Sequence, residues 1–272
     1  MPSDIEEEEH ILPPPDSFDS ASIEVGYSEV LRSIVSAANA SGVLVPRLVA
    51  VSKTKPVAAV LAAYACGARH FGENYVLEIV GKAPECPPDI AWHFIGHLQS
   101  NKAKLLVAGV PSLWAVESVD SIKLAGLLEK AAAAVGRGKC NDINDDEGAA
   151  TPIRAQPLRV FIQVNTSGEP QKGGVEPGGA AAALASYIVE SCPHLRLAGL
   201  MTIGELGKVA NVFFTRLSAE RDAVRSALGP PYDTPHALEL SMGMSADYEA
   251  AIKEGSTSVR VGSAIFGVRE KK

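Results

Sequence analysis

No apolar run in this 272-residue chain approaches the roughly 20 residues that a membrane-spanning helix needs, so the sequence offers no bilayer span. Cysteine is scarce. Cys66, Cys86, Cys140 and Cys192 stand far apart with no CxxC pair, which argues against a zinc site and a disulfide framework and suits a reducing compartment. Excess basic charge is lacking too. Residues 1–22 carry seven acids (Asp4, Glu6, Glu7, Glu8, Glu9, Asp16, Asp19) and no Lys or Arg, and setting these aside from the 32 acids leaves 25 against 25 bases. A neutral folded part gives no support for a nucleic-acid-binding face. The N-terminus has neither the basic and apolar regions of a secretory signal nor the arginine-rich character of a transit peptide, so a cytoplasmic location is expected.

What is present is an alternation. Residues 1–22 combine Glu6–Glu9 with Pro13–Pro15 and read as a disordered tail. Tyr27, Val30, Leu31, Ile34, Val35 and Ala38 then recur at helical spacing, giving a leading helix before the first strand. From Leu48 onward, short apolar runs alternate with helical stretches: strands at Leu48–Val51, His70–Glu73, Ala91–Gly96, Ser112–Glu117, Arg159–Asn165, Leu195–Ile203, Ala237–Met242 and Ser258–Ser263. The helix from Ala246 has Ser245 as its expected N-cap. Residues 137–157 break the pattern with Gly, Asn, Asp and Pro and read as a surface insertion.

Eight strands and their helices in about 220 residues predict a single α/β domain over 23–268, a closed (β/α)8 TIM barrel with an extra N-terminal helix, and a short tail at 269–272. An open doubly wound sheet is the alternative, but no GxGxxG follows the first strand.

In such a barrel the site lies at the carboxyl ends of the strands, and polar residues fall at those ends one after another. They include Lys53, Asn74, His93, Gln99–Lys102, Glu117, Asn165, Met201–Thr202, Ser241–Ser245 (with Met242) and Arg260–Ser263. Each has a plainer reading. Lys53 at a strand end is either a snorkelling surface residue or an amine desolvated by its apolar neighbours and able to form an imine with an aldehyde. His93, between Trp92 and Phe94, reads equally as a core histidine, and Glu117 and Asn165 as helix caps. The last two segments make the sharper physical case. Ser241-Met242-Gly243-Met244-Ser245 and Gly262-Ser263 place glycines and hydroxyls where barrels commonly bind phosphate. An imine-forming lysine and a phosphate cradle on one rim specify a phosphorylated aldehyde, of which pyridoxal 5'-phosphate is the common one. Arg260, two residues before the cradle, is placed to reach the pyridine nitrogen and to disfavour its protonation.

The stretches Val51-Ser52-Lys53-Thr54-Lys55-Pro56, Phe71-Gly72-Glu73-Asn74-Tyr75, Trp92–Lys102, Gly199-Leu200-Met201-Thr202 and Ser241–Ser245 with Asp247 resemble those of the pyridoxal phosphate homeostasis proteins, from about Ser28 to Gly267. The resemblance implies a barrel similar to the N-terminal domain of alanine racemase, with Lys53 as the cofactor lysine. It also implies phosphate contacts at Ser241, Ser245, Gly262 and Ser263, and Arg260 facing the ring nitrogen. Asn74, His93, Asn165, Met201 and Met242 complete the expected cofactor-binding set, with no catalytic residue and no metal. The expected function is storage and transfer of the cofactor within the cell, with apo PLP-dependent enzymes as acceptors, no nucleic-acid or membrane partner, and a monomer or weak dimer. A racemase-like enzyme is the alternative. Racemisation needs a second acid/base on the opposite face, which alanine racemase takes from an additional domain that is not expected after strand eight. A barrel acting as a structural or interaction module is the third reading.

Overall fold

Short runs such as Val160-Phe161-Ile162 are apolar at successive positions, which suits a strand covered on both faces. The computed structural model describes residues 19–140, 151–169, 172–204, 210–234 and 237–267. Strands β1 (Arg47–Val51), β2 (His70–Glu73), β3 (Ala91–Phe94), β4 (Leu113–Val119), β5 (Leu158–Gln163), β6 (Leu195–Met201), β7 (Glu239–Met244) and β8 (Ser258–Val261) form a closed parallel barrel in sequence order. Closure is made by β1 and β8, with Ala50 opposite Val261, and this excludes the open sheet.

Helices α1 (Ser20–Ser41), α2 (Val57–Ala65), α3 (Val76–Lys82), α4 (Ala103–Gly109), α5 (Ile122–Ala134), α6 (Ala180–Ser191), α7 (Ala210–Leu228), α8 (Tyr248–Lys253) and α9 (Ser263–Phe266) accompany the strands. The main core lies between barrel and helices and includes Ile34, Phe71, Trp92, Phe94, Leu106, Leu113 and Leu128. Each such side chain contributes about 1.5–3 kcal/mol relative to exposure. A smaller cluster of Ala91, Trp114, Ala115, Phe161, Ala198 and Met201 comes from strands alone and fills the barrel's interior.

The extra helix α1 is present and packs Ile23, Tyr27, Val30, Ile34 and Ala38 inward, bracing α8 and α9. It begins at Ser20, inside the stretch expected to belong to the tail, because Asp19 caps it by accepting from the Ala21 N–H at 3.0 Å. Residues 1–18 of that tail, 141–150 of the insertion and the tail at 269–272 lie outside the described residues. The flanks of the insertion differ from a surface excursion. Arg137 is buried and donates to the carbonyls of Leu113 (2.6 Å) and Ile153 (2.9 Å), and Ile153 packs on the interior cluster. At the same end of the barrel, the guanidinium groups of Arg47 and Arg159 lie 4.4 and 4.5 Å from the Trp114 ring centroid. Arg47 also pairs with Glu239 at 2.5 Å. This floor leaves the carboxyl rim for chemistry.

Candidate functional site

Lys53 lies two residues past β1, half-buried, in a turn closed by the Lys55 N–H donating to the Ser52 carbonyl at 3.0 Å. Lys55 is half-buried as well, so exposure alone does not separate the two lysines as expected from their order. The third turn residue, Thr54, has φ +64°, a left-handed conformation unusual for a β-branched residue.

The loop after β8 meets this corner. A Cβ on Gly262 would sit 3.2 Å from the Val51 carbonyl oxygen, a tight contact that shows how closely the β8 exit lies against the β1 exit. The Gly262 N–H donates to Ser245 Oγ at 3.2 Å, tying the loops after β7 and β8 together. Ser245 is therefore not the N-cap of α8. That helix starts at Tyr248, and Asp247 turns its carboxylate to the Met244 N–H at 2.7 Å. Ser263 is exposed at the start of α9, where the first N–H groups have no intrahelical acceptor.

Inside the barrel, below this rim, a polar column crosses from β2 to β8. His70 Nδ1 and His93 Nε2 are 2.9 Å apart, and His93 Nδ1 is 2.5 Å from Glu117 Oε1. Ser241 Oγ donates to Glu117 Oε2 at 2.5 Å, Arg260 Nη1 donates to Ser241 Oγ at 2.5 Å, and Arg260 Nη2 to the Thr202 carbonyl at 2.8 Å. Burial pushes the pKa of both histidines down, that of His70 to about 2, against the pull of Glu117 on His93. Burial alone would raise Glu117, but the hydrogen bond and charge of His93, with Arg260 and Ser241, outweigh it and hold the carboxyl below its usual range. A neutral His93 then donates through Nδ1 to an ionised Glu117 and accepts from His70 through Nε2. Burial opposes the charge of Arg260, and Glu117 and Asp247 offset it.

The remaining candidates separate by face. Met201 lies in the interior cluster, whereas the Met242 side chain packs in the layer between barrel and helices. Asn165 organises the loop after β5. Its amide donates to the Glu169 carbonyl and to Glu176 Oε1, both at 3.2 Å, and its oxygen accepts from the Gly168 N–H at 3.1 Å. Asn74 is partly buried, and its Oδ1 is buried without a partner among the described residues.

A second buried cluster was not singled out from the sequence. Lys82 Nζ donates to Glu73 Oε1 (2.7 Å), Glu78 Oε1 (2.5 Å) and the Ser52 carbonyl (2.9 Å). Ser52 Oγ donates to Glu73 Oε1 at 2.7 Å, and the Thr54 N–H to Glu78 Oε1 at 2.5 Å. Burial raises Glu73 to about 7, with Lys82 opposing. The available signal was the Glu78/Lys82 pair at i,i+4 beside Ile79, on a helix face that turns inward.

The closed barrel with its polar groups gathered at one rim is of the alanine racemase N-terminal type, and residues 31–270 match the family described as "Alanine racemase, N-terminal domain". The chain is 46% identical over 235 residues to the pyridoxal phosphate homeostasis protein of Bos taurus, covering 83% of this chain and 78% of the relative. With the protein of that name from Schizosaccharomyces pombe it shares 44% over 252 residues, covering 89% and 91%. It belongs to the pyridoxal phosphate homeostasis protein family. Among solved structures, PipY of Synechococcus elongatus with PLP bound superposes with a TM-score of 0.68 at 31% identity, covering 90% of this chain and all of PipY. An alanine racemase from Corynebacterium glutamicum matches at a TM-score of 0.59 and 15% identity over 93% of this chain and 62% of its own, a likeness of fold alone.

Proposed function

We propose that this chain binds pyridoxal 5'-phosphate at the carboxyl rim of its barrel and serves the homeostasis of that cofactor, holding it and passing it on to apo-enzymes without turning over an amino acid. The observation that carries the reading is the contact of Gly262 with Val51, which brings a turn carrying a lysine and a pair of loops rich in N–H and hydroxyl groups to one corner. One residue of the expected set fits such a ligand: the buried Asn74 Oδ1 has no partner among the described residues and is left as an open acceptor.

When bound, the cofactor supplies an aldehyde and an electron-withdrawing ring. Lys53 provides the amine that holds it covalently. Ser245, Gly262 and Ser263 receive the phosphate. Arg260, fixed by Ser241 and Thr202, is the cation that would meet the ring nitrogen, where its permanent charge would disfavour protonation and weaken the ring as an electron sink. Ser241, expected as a phosphate contact, is buried with its hydroxyl donating to Glu117 and accepting from Arg260, so it would act on the ligand through this arginine instead. His93, Asn165 and Met201 support the wall, and Met242 takes part through its backbone. The names of the relatives support the homeostasis reading. No described helix is long and apolar enough to cross a membrane. We further propose a cytoplasmic protein, monomeric or weakly dimeric, with the barrel as its single domain, beginning at α1 (Ser20) rather than at 23.

The test is absorbance and intact mass of the purified protein with the cofactor, before and after borohydride. The expected label maps to Lys53 and vanishes in Lys53→Ala, and native protein passes the cofactor to an apo-enzyme. A label on Lys55 or Lys102 overturns the assignment. Amino-acid racemisation that disappears in Lys53→Ala replaces the carrier reading with a racemase.

A further inference from the structure

We propose that Glu73, Glu78 and Lys82 act with Thr54 as a clamp that positions Lys53 for its reaction, rather than as a generic stabiliser of the fold. This inference rests on the reading of Lys53 given above.

A buried ion cluster is a poor way to gain stability, because desolvation of the ions offsets most of their attraction. This one is fully enclosed, with two carboxylates on one ammonium, and Oε2 of each glutamate has no partner among the described residues. Its connections show what it secures. Among the described residues, the side-chain hydrogen bonds leaving the cluster end on Ser52 or Thr54: Lys82 on the Ser52 carbonyl (2.9 Å), Glu73 on the Ser52 hydroxyl (2.7 Å) and Glu78 on the Thr54 N–H (2.5 Å). The backbone on both sides of Lys53 is thereby fixed from β2 and α3.

What is fixed is an unfavourable turn. The position after Lys53 takes φ +64°, which glycine adopts readily and a β-branched threonine does not. Strain of this kind persists only where the surroundings over-determine it, and it gathers at functional sites. Condensation of the Lys53 amine with an aldehyde forms a C=N bond and releases water. Misplacing the amine by even an ångström lowers its effective concentration against the carbonyl carbon. The clamp supplies that placement, while the phosphate loops at β7 and β8 supply binding.

Pyridoxamine 5'-phosphate separates the two contributions, since it keeps ring and phosphate but has an amine in place of the aldehyde. The ratio of its affinity to the condensation constant of pyridoxal 5'-phosphate, read by absorbance and borohydride trapping, is the measured quantity. Glu78→Ala should lower condensation relative to pyridoxamine phosphate binding by about tenfold. Glu78→Gln, which keeps an acceptor for the Thr54 N–H, should return the ratio to that of the unsubstituted protein. Thr54→Gly removes the strain and frees the turn, so it should fold normally and still shift the ratio by about threefold. If Glu78→Ala does not fold, Thr54→Gly decides alone. A ratio that stays at its original value in either folded variant overturns the clamp, as does equal weakening of both ligands. Failure to trap the aldehyde on Lys53 in the unsubstituted protein overturns the cofactor reading and the clamp with it.

Discussion

Glu117 on β4 and Arg260 on β8 approach to 3.9 Å across the barrel interior, with the Ser241 hydroxyl bridging them. Both are buried, so the carboxylate is what makes a guanidinium tolerable there. Glu117→Gln should cost about 3 kcal/mol in denaturant unfolding, with little change in m, because it leaves Asp247 as the arginine's remaining counter-charge among the described residues. Adding Arg260→Met should recover part of that loss. A Glu117→Gln loss below about 1 kcal/mol would mean that solvent already screens the pair.

Gly243 reports on the loop after β7 independently of any ligand. Its φ is +95°, and a Cβ there would stand 2.6 Å from Ala251 Cβ and 2.9 Å from Tyr248 Cα. Gly243→Ala must therefore push α8 away from β7, at about 2–4 kcal/mol, and carry Ser245 away from Gly262. Thermal unfolding measures the first effect. An alanine variant as stable as the original would show that the loop has an equally good second conformation.

The barrel was legible because a strand covered on both faces is rich in apolar residues, and β4 (Leu113–Val116) and β5 (Val160–Ile162) each carry an unbroken apolar run. The rim was legible in outline, since polar residues that follow such strands stand out. The partners of those residues were not. Ser245 directly before a helix reads as a cap from local sequence, yet its partner is Gly262, 17 residues on, and only the closure of β8 onto β1 and β7 brings it there. His93 read equally as core or ligand. Its ring nitrogens meet His70 and Glu117, on the two neighbouring strands β2 and β4, a pairing set by register. Glu78 and Lys82 have the spacing of a solvated helix face, and their place beside Ile79 is too weak a signal to outweigh that reading before α3 is seen to bury them.

The folded pKa of Glu73, about 7, lies above its ordinary 4.5 because of burial. Between those values the folded chain keeps a proton that the unfolded chain has released, so stability is full below about 4.5 and is lost as pH rises toward 7. The loss is on the order of 3 kcal/mol. Glu73→Gln stays neutral throughout and should flatten unfolding free energy over that window. A slope that persists in this variant assigns the titration to another group.

The last prediction concerns retention of the proposed cofactor. Ser245 and Ser263 lie beside Gly262 where the loops after β7 and β8 meet, with Ser263 exposed and Ser245 half-buried, and neither belongs to the buried column that fixes Arg260. Removing their hydroxyls should weaken the hold on a phosphate while leaving the barrel and the Lys53 turn intact. A charge-assisted hydrogen bond to phosphate is worth about 1.5–3 kcal/mol, or roughly ten- to a hundredfold in affinity. Pyridoxal, which has the aldehyde and no phosphate, isolates that contribution. Ser245→Ala with Ser263→Ala should reduce the preference for pyridoxal 5'-phosphate over pyridoxal by at least about tenfold and speed release of the phosphorylated ligand, with the trapping of pyridoxal on Lys53 unchanged. Equal loss for both aldehydes would place the hydroxyls in the support of Lys53. An unchanged preference would remove the phosphate from this corner of the rim.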